Sequence, residues 1–309
     1  MTVMITGGTG FLGSFLARRL VDQGEKDILL YEQHINEERL EGLRGWVTIV
    51  QGDVLDFDKI KSTMQEYRVD RVAHLAFLLT IASMQDPPLA TQINCAGAIN
   101  VFEAAMQSGI KRVVYASSAA VYGGHKALTD DELTEEACPA PNSLYGAAKL
   151  YNDHMAGLYA EQHGMEMIGF RPVVILGPTR TNLMTENPAN YMNLPELAAK
   201  GLPALMPPDA QEMDLIYVAD AATAWHMGLA LPLTGHQIFN LSAERRTIGE
   251  YTRLVQDLEP RTKIKTLKNP VGGLRLVSNE KIRNELGFEP EYRLEDWVPE
   301  YLGYVRGRL

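Results

Sequence analysis

The chain predicts an α/β fold in which a doubly wound parallel sheet is followed by a smaller C-terminal lobe. Its 309 residues, 46% apolar, 22% charged and 8% aromatic, describe a globular protein with a large core and room for two lobes. Short β-branched or apolar runs at 2–6, 27–31, 47–50, 71–75, 112–116 and 166–170 alternate with stretches of helical period at 11–23, 57–66, 88–108 and 143–163. Runs such as Ile28-Leu29-Leu30 and Val113-Val114 are apolar on both faces, as strands covered by helices on each side must be.

After Arg171-Pro172 the rhythm breaks. Residues 177–214 are rich in Pro, Met and Asn and carry one expected helix, near 191–200. A helix at 218–229 and a strand at 237–241 are expected to return to the sheet, and 248–258, 279–286 and 294–305 to form helices of the lobe. The sheet domain is therefore placed at 1–176, with 215–241 returning to it, and the substrate-binding lobe at 177–214 and 242–309.

Charge and cysteine usage exclude several classes of function. With 29 Lys+Arg against 39 Asp+Glu, a net charge of −10, the chain has no electrostatic footprint for nucleic acid or an anionic membrane, and a small molecule is the expected partner. Cys95 and Cys138 make neither a disulfide framework nor a metal-ligand spacing, so no metal is expected and a cytoplasmic setting fits. The longest apolar stretch, 72–84, falls short of the roughly 20 residues of a membrane span, and the start of the chain lacks the pattern of a signal peptide.

The first strand runs into Thr6-Gly7-Gly8-Thr9-Gly10-Phe11-Leu12-Gly13, where Gly8, Gly10 and Gly13 satisfy GxGxxG between a strand and a helix. The turn needs backbone freedom, a diphosphate needs an approach that no Cβ would allow, and the helix N-terminus offers unpaired N–H groups to an anion. Glu32 ends the second strand, where a carboxylate accepts from the adenosine ribose hydroxyls. That carboxylate would repel the extra phosphate of NADP, and the adjoining Gln33 and His34 supply no arginine to compensate, so NAD is the expected cofactor. Asp53, in Gly52-Asp53-Val54, either meets the adenine edge or caps a helix.

Two further motifs carry the chemistry. The strand 112–116 ends in Ser117-Ser118, on the carboxyl edge where doubly wound sheets bind ligands, and Ser118 is favoured to polarise a substrate oxygen. Tyr145 and Lys149 lie four residues apart on one helix face. An ammonium beside a phenol favours tyrosinate, letting Tyr145 exchange a proton with a substrate oxygen while a hydride moves to or from a nicotinamide.

Taken together, TGGTGFLG, GDV, HLA at His74-Leu75-Ala76, SSAAVYG and YGAAK resemble the extended short-chain dehydrogenase/reductases, the NAD-dependent epimerase/dehydratase family. The resemblance implies a Rossmann domain, a Ser118/Tyr145/Lys149 triad, a cofactor channel lined by Ala76 and Asn94, Lys149 on the nicotinamide ribose, and a homodimer through helices such as 96–108 and 147–163. The full expected cofactor set is Gly7, Gly10, Phe11, Leu12, Gly13, Glu32, Asp53, Val54, Leu75, Ala76, Asn94, Tyr145 and Lys149.

Departures from the family pattern narrow the chemistry. Sugar-nucleotide dehydratases place Thr-Asp-Glu where this chain has Ser118-Ala119-Ala120, which removes the acid and base for eliminating water. Where sugar-nucleotide epimerases have Arg-Asp-Phe-Ile-His-Val the chain reads Met213-Asp214-Leu215-Ile216-Tyr217-Val218, so a thioether replaces the guanidinium that pairs with a pyrophosphate. Val174 stands where those enzymes often carry asparagine. The runs at 74–79 and 214–220 lean towards the L-threonine dehydrogenase-like branch, although 186–191 lacks that branch's glycines and threonines.

The remaining candidates concern the substrate. Phe77, Leu78, Leu79, Ile81 and Met84, with Met184, Met192, Leu205 and Met206, are candidates for an apolar lid or for simple lobe packing. Leu79, Ser118, Val174, Arg180 and Asn182 are the candidate substrate contacts, Arg180 and Asn182 for a carboxylate or hydroxyl, and His74 reads as a buried structural imidazole. The expected function is an NAD-dependent oxidoreductase interconverting a secondary alcohol and a ketone on a small non-nucleotide substrate. The alternatives are an epimerase that retains its cofactor through a redox-neutral cycle and a non-catalytic dinucleotide sensor.

Overall fold

The computed structural model describes residues 1–123, 132–180, 190–271 and 276–308. In the first half, β1 (Thr2–Thr6), α1 (Phe11–Asp22), β2 (Asp27–Glu32), β3 (Thr48–Gln51), α2 (Phe57–Glu66) and β4 (Val69–His74) follow the predicted alternation. Asp56, not Asp53, caps α2 by accepting from the Lys59 N–H at 3.0 Å. The single helix expected over 88–108 divides into α3 (Thr80–Gln85), α4 (Pro87–Thr91), a wide π turn at Gln92–Gly97 and α5 (Ala98–Gln107). Within that turn Asn94 reaches across to Leu78, accepting from its N–H at 2.7 Å and donating to its carbonyl at 3.0 Å.

β5 (Arg112–Ala116), α6 (Leu144–His163), β6 (Glu166–Pro172) and β7 (Val174–Leu176) come next. The chain continues through α7 (Leu194–Ala199), β8 (Pro203–Met206), β9 (Glu212–Tyr217), α8 (Val218–Ala230), β10 (His236–Leu241), β11 (Glu244–Thr247), α9 (Ile248–Leu258), β12 (Lys263–Thr266), α10 (Glu280–Leu286) and α11 (Leu294–Arg306). Seven parallel strands form the main sheet in the order β10-β6-β5-β4-β1-β2-β3. Alternate residues of one strand enter opposite cores: Val3 and Ile5 pack with α1 and α8, and Met4 with α2 and α5. That is why these strands read as unbroken apolar runs.

The stretch expected to return to the sheet divides. β10 joins the edge of the main sheet, whereas β9 pairs with β7 and β11 in a separate three-stranded sheet and β8 pairs with β12. Short strands whose partners are distant in sequence carry little local signal, so only the helix of 177–214 was legible. The lobe core gathers Tyr191, Leu194, Met206, Met213, Tyr251 and Trp297. Met206 is fully buried there and Met192 packs against it, so these two take the packing alternative, while Met84 is 69% exposed. Among the described residues no helix is long and apolar enough to cross a membrane.

Candidate active site

Strand order reverses between β1 and β4, and a groove of about 230 Å³ opens at their carboxyl ends, lined by Gly7, Gly10, Glu32, Asp53, Val54, Leu75, Ala76 and Phe77 among others. Gly7 takes a φ of +70°, and a Cβ on Gly13 would stand 2.2 Å from the Gly7 carbonyl oxygen. Both the turn and the seating of α1 therefore require bare backbone, the cradle that a diphosphate approaches. Phe11 and Leu12 begin α1 behind this turn and pack towards the lobe core.

Glu32 accepts from the N–H and hydroxyl of Thr9 at 3.3 and 3.2 Å, which fixes the carboxylate beside the glycine turn. Asp53 accepts from the Leu55 N–H at 2.9 Å and the Gln33 side chain at 2.8 Å. Arg39, which the sequence reasoning missed, donates to the Thr9 carbonyl at 3.4 Å and to that of Thr179 at 2.6 Å, and the Glu32 carboxylate favours its charge. The loop after β2 folds Arg39 back to this turn, and nothing in its spacing announces this. These residues fit a dinucleotide, with the turn for the diphosphate and Glu32 for a ribose diol. Asn94 is buried behind the groove, its side chain given to Leu78 and its carbonyl accepting from Asn152 at 2.9 Å.

Helix α6 begins at the Ser143 cap, whose hydroxyl accepts from the Gly146 N–H at 3.1 Å. A Cβ on Gly146 would meet the Ala120 carbonyl oxygen at 2.5 Å, so this glycine lets α6 lie against the loop that carries Ser118. Ser118 accepts from the Ala120 N–H at 3.1 Å, and its side chain acts on the Tyr145 hydroxyl, favouring the phenolate. One turn on, Lys149 is buried, donates to the Ala116 carbonyl at 2.6 Å and lies 3.4 Å from the centroid of the Phe77 ring. Phe77 also packs on Tyr145 with centroids 6.0 Å apart. The structure thus brings Ser118, Tyr145 and Lys149 together, whereas Ser117 is buried on the side of Asp153.

The electrostatics depart from expectation. Burial pushes the Tyr145 phenol up to about 12, opposed by the Ser118 hydrogen bond and the charge of Arg180. Lys149 Nζ lies 5.6 Å from the Tyr145 ring centroid, while the charge that lowers the phenol is that of Arg180. Burial draws Lys149 itself down to about 7, with Asp153 pulling the other way. A lysine removed from water and bonded to a backbone carbonyl is only partly protonated near neutral pH, which weakens its hold on a neighbouring tyrosinate. His74 bonds Thr6 at 2.7 Å and is drawn down to about 3 by burial, as suits a neutral structural imidazole.

The substrate candidates are scattered. Leu79 caps α3 and is 39% exposed, and Val174 begins β7 in register with Leu215. Asn182 and Met184 lie outside the described residues. Arg180 stacks 5.6 Å from the Phe11 ring centroid and donates to the Ile175 carbonyl.

A family model for the NAD dependent epimerase/dehydratase family matches residues 3–242. The UDP-glucose 4-epimerase of Azospirillum brasilense is 27% identical, over 98% of this chain and 92% of its own, and that of Lacticaseibacillus casei is 25% identical over 94% and 92%. Among solved structures, the UDP-glucose 4-epimerase of Thermus thermophilus in complex with NAD superposes over the whole of both chains with a TM-score of 0.87 at 23% identity. The UDP-N-acetylglucosamine 4-epimerase of Methanobrevibacter ruminantium gives 0.88 at 23%, over 100% of this chain and 99% of that one. The two structures establish the fold, and the named relatives shift the family reading from the threonine dehydrogenase-like branch towards the epimerases. With its glycine turn, Glu32 and the Ser118/Tyr145/Lys149 cluster on one sheet edge, and with that model matched across most of its length, the chain belongs to the NAD dependent epimerase/dehydratase family.

Proposed function

We propose that the chain is an NAD-dependent epimerase that inverts a secondary alcohol carbon through a transient ketone and retains its cofactor. The observation that carries this reading is the convergence of Ser118, Tyr145 and Lys149 beside the glycine turn. Bound NAD supplies the acceptor, and afterwards the donor, of a hydride. Ser118 holds the reacting oxygen, and Tyr145 takes the hydroxyl proton during oxidation and returns it to the same oxygen during reduction. Burial raises the phenol to about 12, so Tyr145 must first give up its own proton to solvent before it can take that of the substrate hydroxyl, and in its protonated form it then donates to the carbonyl. Lys149 anchors the wall of the site through the Ala116 carbonyl, and the resemblance assigns it the nicotinamide ribose.

A second reading, net oxidation of a small non-nucleotide alcohol, is favoured by Met213, fully buried in the lobe core. The resemblance puts a pyrophosphate-binding arginine at that position. A homodimer through α5 and α6 belongs to both readings, and sedimentation tests it. The decisive experiment incubates the NAD-loaded protein with candidate sugars and hydroxy acids, following absorbance at about 340 nm and product stereochemistry together. An epimerase yields the diastereomer without net NADH, a dehydrogenase yields one NADH per ketone, and a sensor yields neither.

A further inference from the structure

Arg180 is a charge that the mechanism above does not use. At Thr179 the chain turns through a φ of +66°, a conformation β-branched residues rarely adopt, and the Thr179 carbonyl accepts from Arg39 at 3.2 and 2.6 Å. Past that turn Arg180 folds back, donating to Ile175 and stacking on Phe11, the first residue of α1. Its charge acts on the hydroxyls of Tyr145, Tyr191 and Tyr301, the first from the catalytic helix and the others from the lobe.

Among the described residues Arg180 forms no ion pair. The three surrounding phenols are raised by burial and stay neutral. Glu196, which accepts from Tyr301 at 3.4 Å, pairs with Lys200 at 2.6 Å. A partly buried guanidinium that meets no anion among the described residues is costly, and its planar fork matches a carboxylate or a phosphate. We propose that Arg180 receives the oxyanion of the substrate, a carboxylate or phosphate borne close to the alcohol that meets Tyr145, so that the enzyme selects a sugar acid or phosphorylated polyol over its neutral counterpart. This rests on the assignment of Tyr145 as the proton-transfer group. Phe11, on which the fork rests, opens α1 beside the glycine turn, so the cofactor's diphosphate is a second candidate anion and the experiment must separate the two sources.

The test titrates NAD-loaded wild type, Arg180→Gln and Arg180→Lys with inorganic phosphate, acetate, D-glucuronate and neutral D-glucose by calorimetry, and measures NADH affinity by fluorescence. Wild type is expected to bind the anions, glucuronate more tightly than glucose, and Arg180→Gln to lose about 10-fold or more for the anions alone, as loss of a charge-assisted bidentate contact requires. Arg180→Lys, which keeps the charge without the fork, falls between. NADH affinity should stay unchanged in both variants. Three outcomes overturn the proposal: wild type that binds none of the anions, an Arg180→Gln effect equal for glucose and glucuronate, or an effect confined to NADH, which would assign Arg180 to the cofactor. Repeating the anion titrations in Tyr145→Phe separates the two claims, since Arg180-dependent binding there survives even if the catalytic assignment fails.

Discussion

The Lys149 ammonium lies 3.4 Å from the centroid of the Phe77 ring while donating to the Ala116 carbonyl, so one cation is held between an aromatic face and the end of β5. The ring face offers a partial negative charge that solvent would otherwise provide. Replacing Phe77 by Leu keeps the apolar cover and removes that face. The Lys149 midpoint, already drawn down to about 7, should then fall further, by about one unit at most given the size of cation–π contacts. Nitrogen NMR of labelled lysine reads this directly, and an unchanged midpoint would show the ring to be mere packing.

Burial holds Lys149 near 7 against its ordinary 10.5. Between those values the unfolded chain binds a proton that the folded chain does not, so this group makes stability rise with pH. Below about 7 the folded chain carries the buried ammonium and the penalty is complete. Lys149→Met, which removes the charge, should therefore compare best with wild type near about pH 6 and lose on the order of a few kcal/mol of that advantage by about pH 10. Urea denaturation of both proteins across this range checks the sign.

Tyr145→Phe leaves the ring against Phe77 and deletes the hydroxyl bonded to Ser118. Turnover should fall by about 10²–10⁴-fold, the usual contribution of a positioned acid or base, while NADH affinity stays near that of wild type. Retained activity measured by initial rates would defeat the catalytic assignment.

Gly13→Ala puts a methyl group 2.2 Å from the Gly7 carbonyl oxygen and 2.9 Å from the Gly8 Cα, both backbone atoms that cannot rotate away. The turn must open, at roughly 1–3 kcal/mol of stability, and the diphosphate cradle opens with it. Loss of NADH fluorescence enhancement alongside a modest drop in melting temperature is the expected result. Full NADH binding would contradict the cradle.

Asp153 is paired with Arg171 at 2.9 Å, and both side chains are buried. Asp153→Asn strands the guanidinium, at roughly 3–5 kcal/mol by chemical denaturation. It also removes the anion that holds Lys149 up, so the lysine midpoint should drop in the same variant.

The nucleotide half was open to inspection from residue order alone, because its signals are local. GxGxxG between strand and helix, an acidic residue ending β2, and a tyrosine and lysine one helical turn apart each state their geometry within a few residues. Covered sheets impose unbroken apolar strands, and these marked out β1, β2 and β5 in advance.

Folding settled everything that depends on residues meeting across long separations. β7, β9 and β11 find one another over tens of residues, and Arg39 comes back to Thr9 and Thr179 from a loop with no motif. The protonation of Tyr145 and Lys149 belongs here too. Spacing pointed to a tyrosinate held by its lysine, but a pKa follows the loss of water around a group, and that loss exists only once Phe77, Ala116 and the lobe have closed around α6.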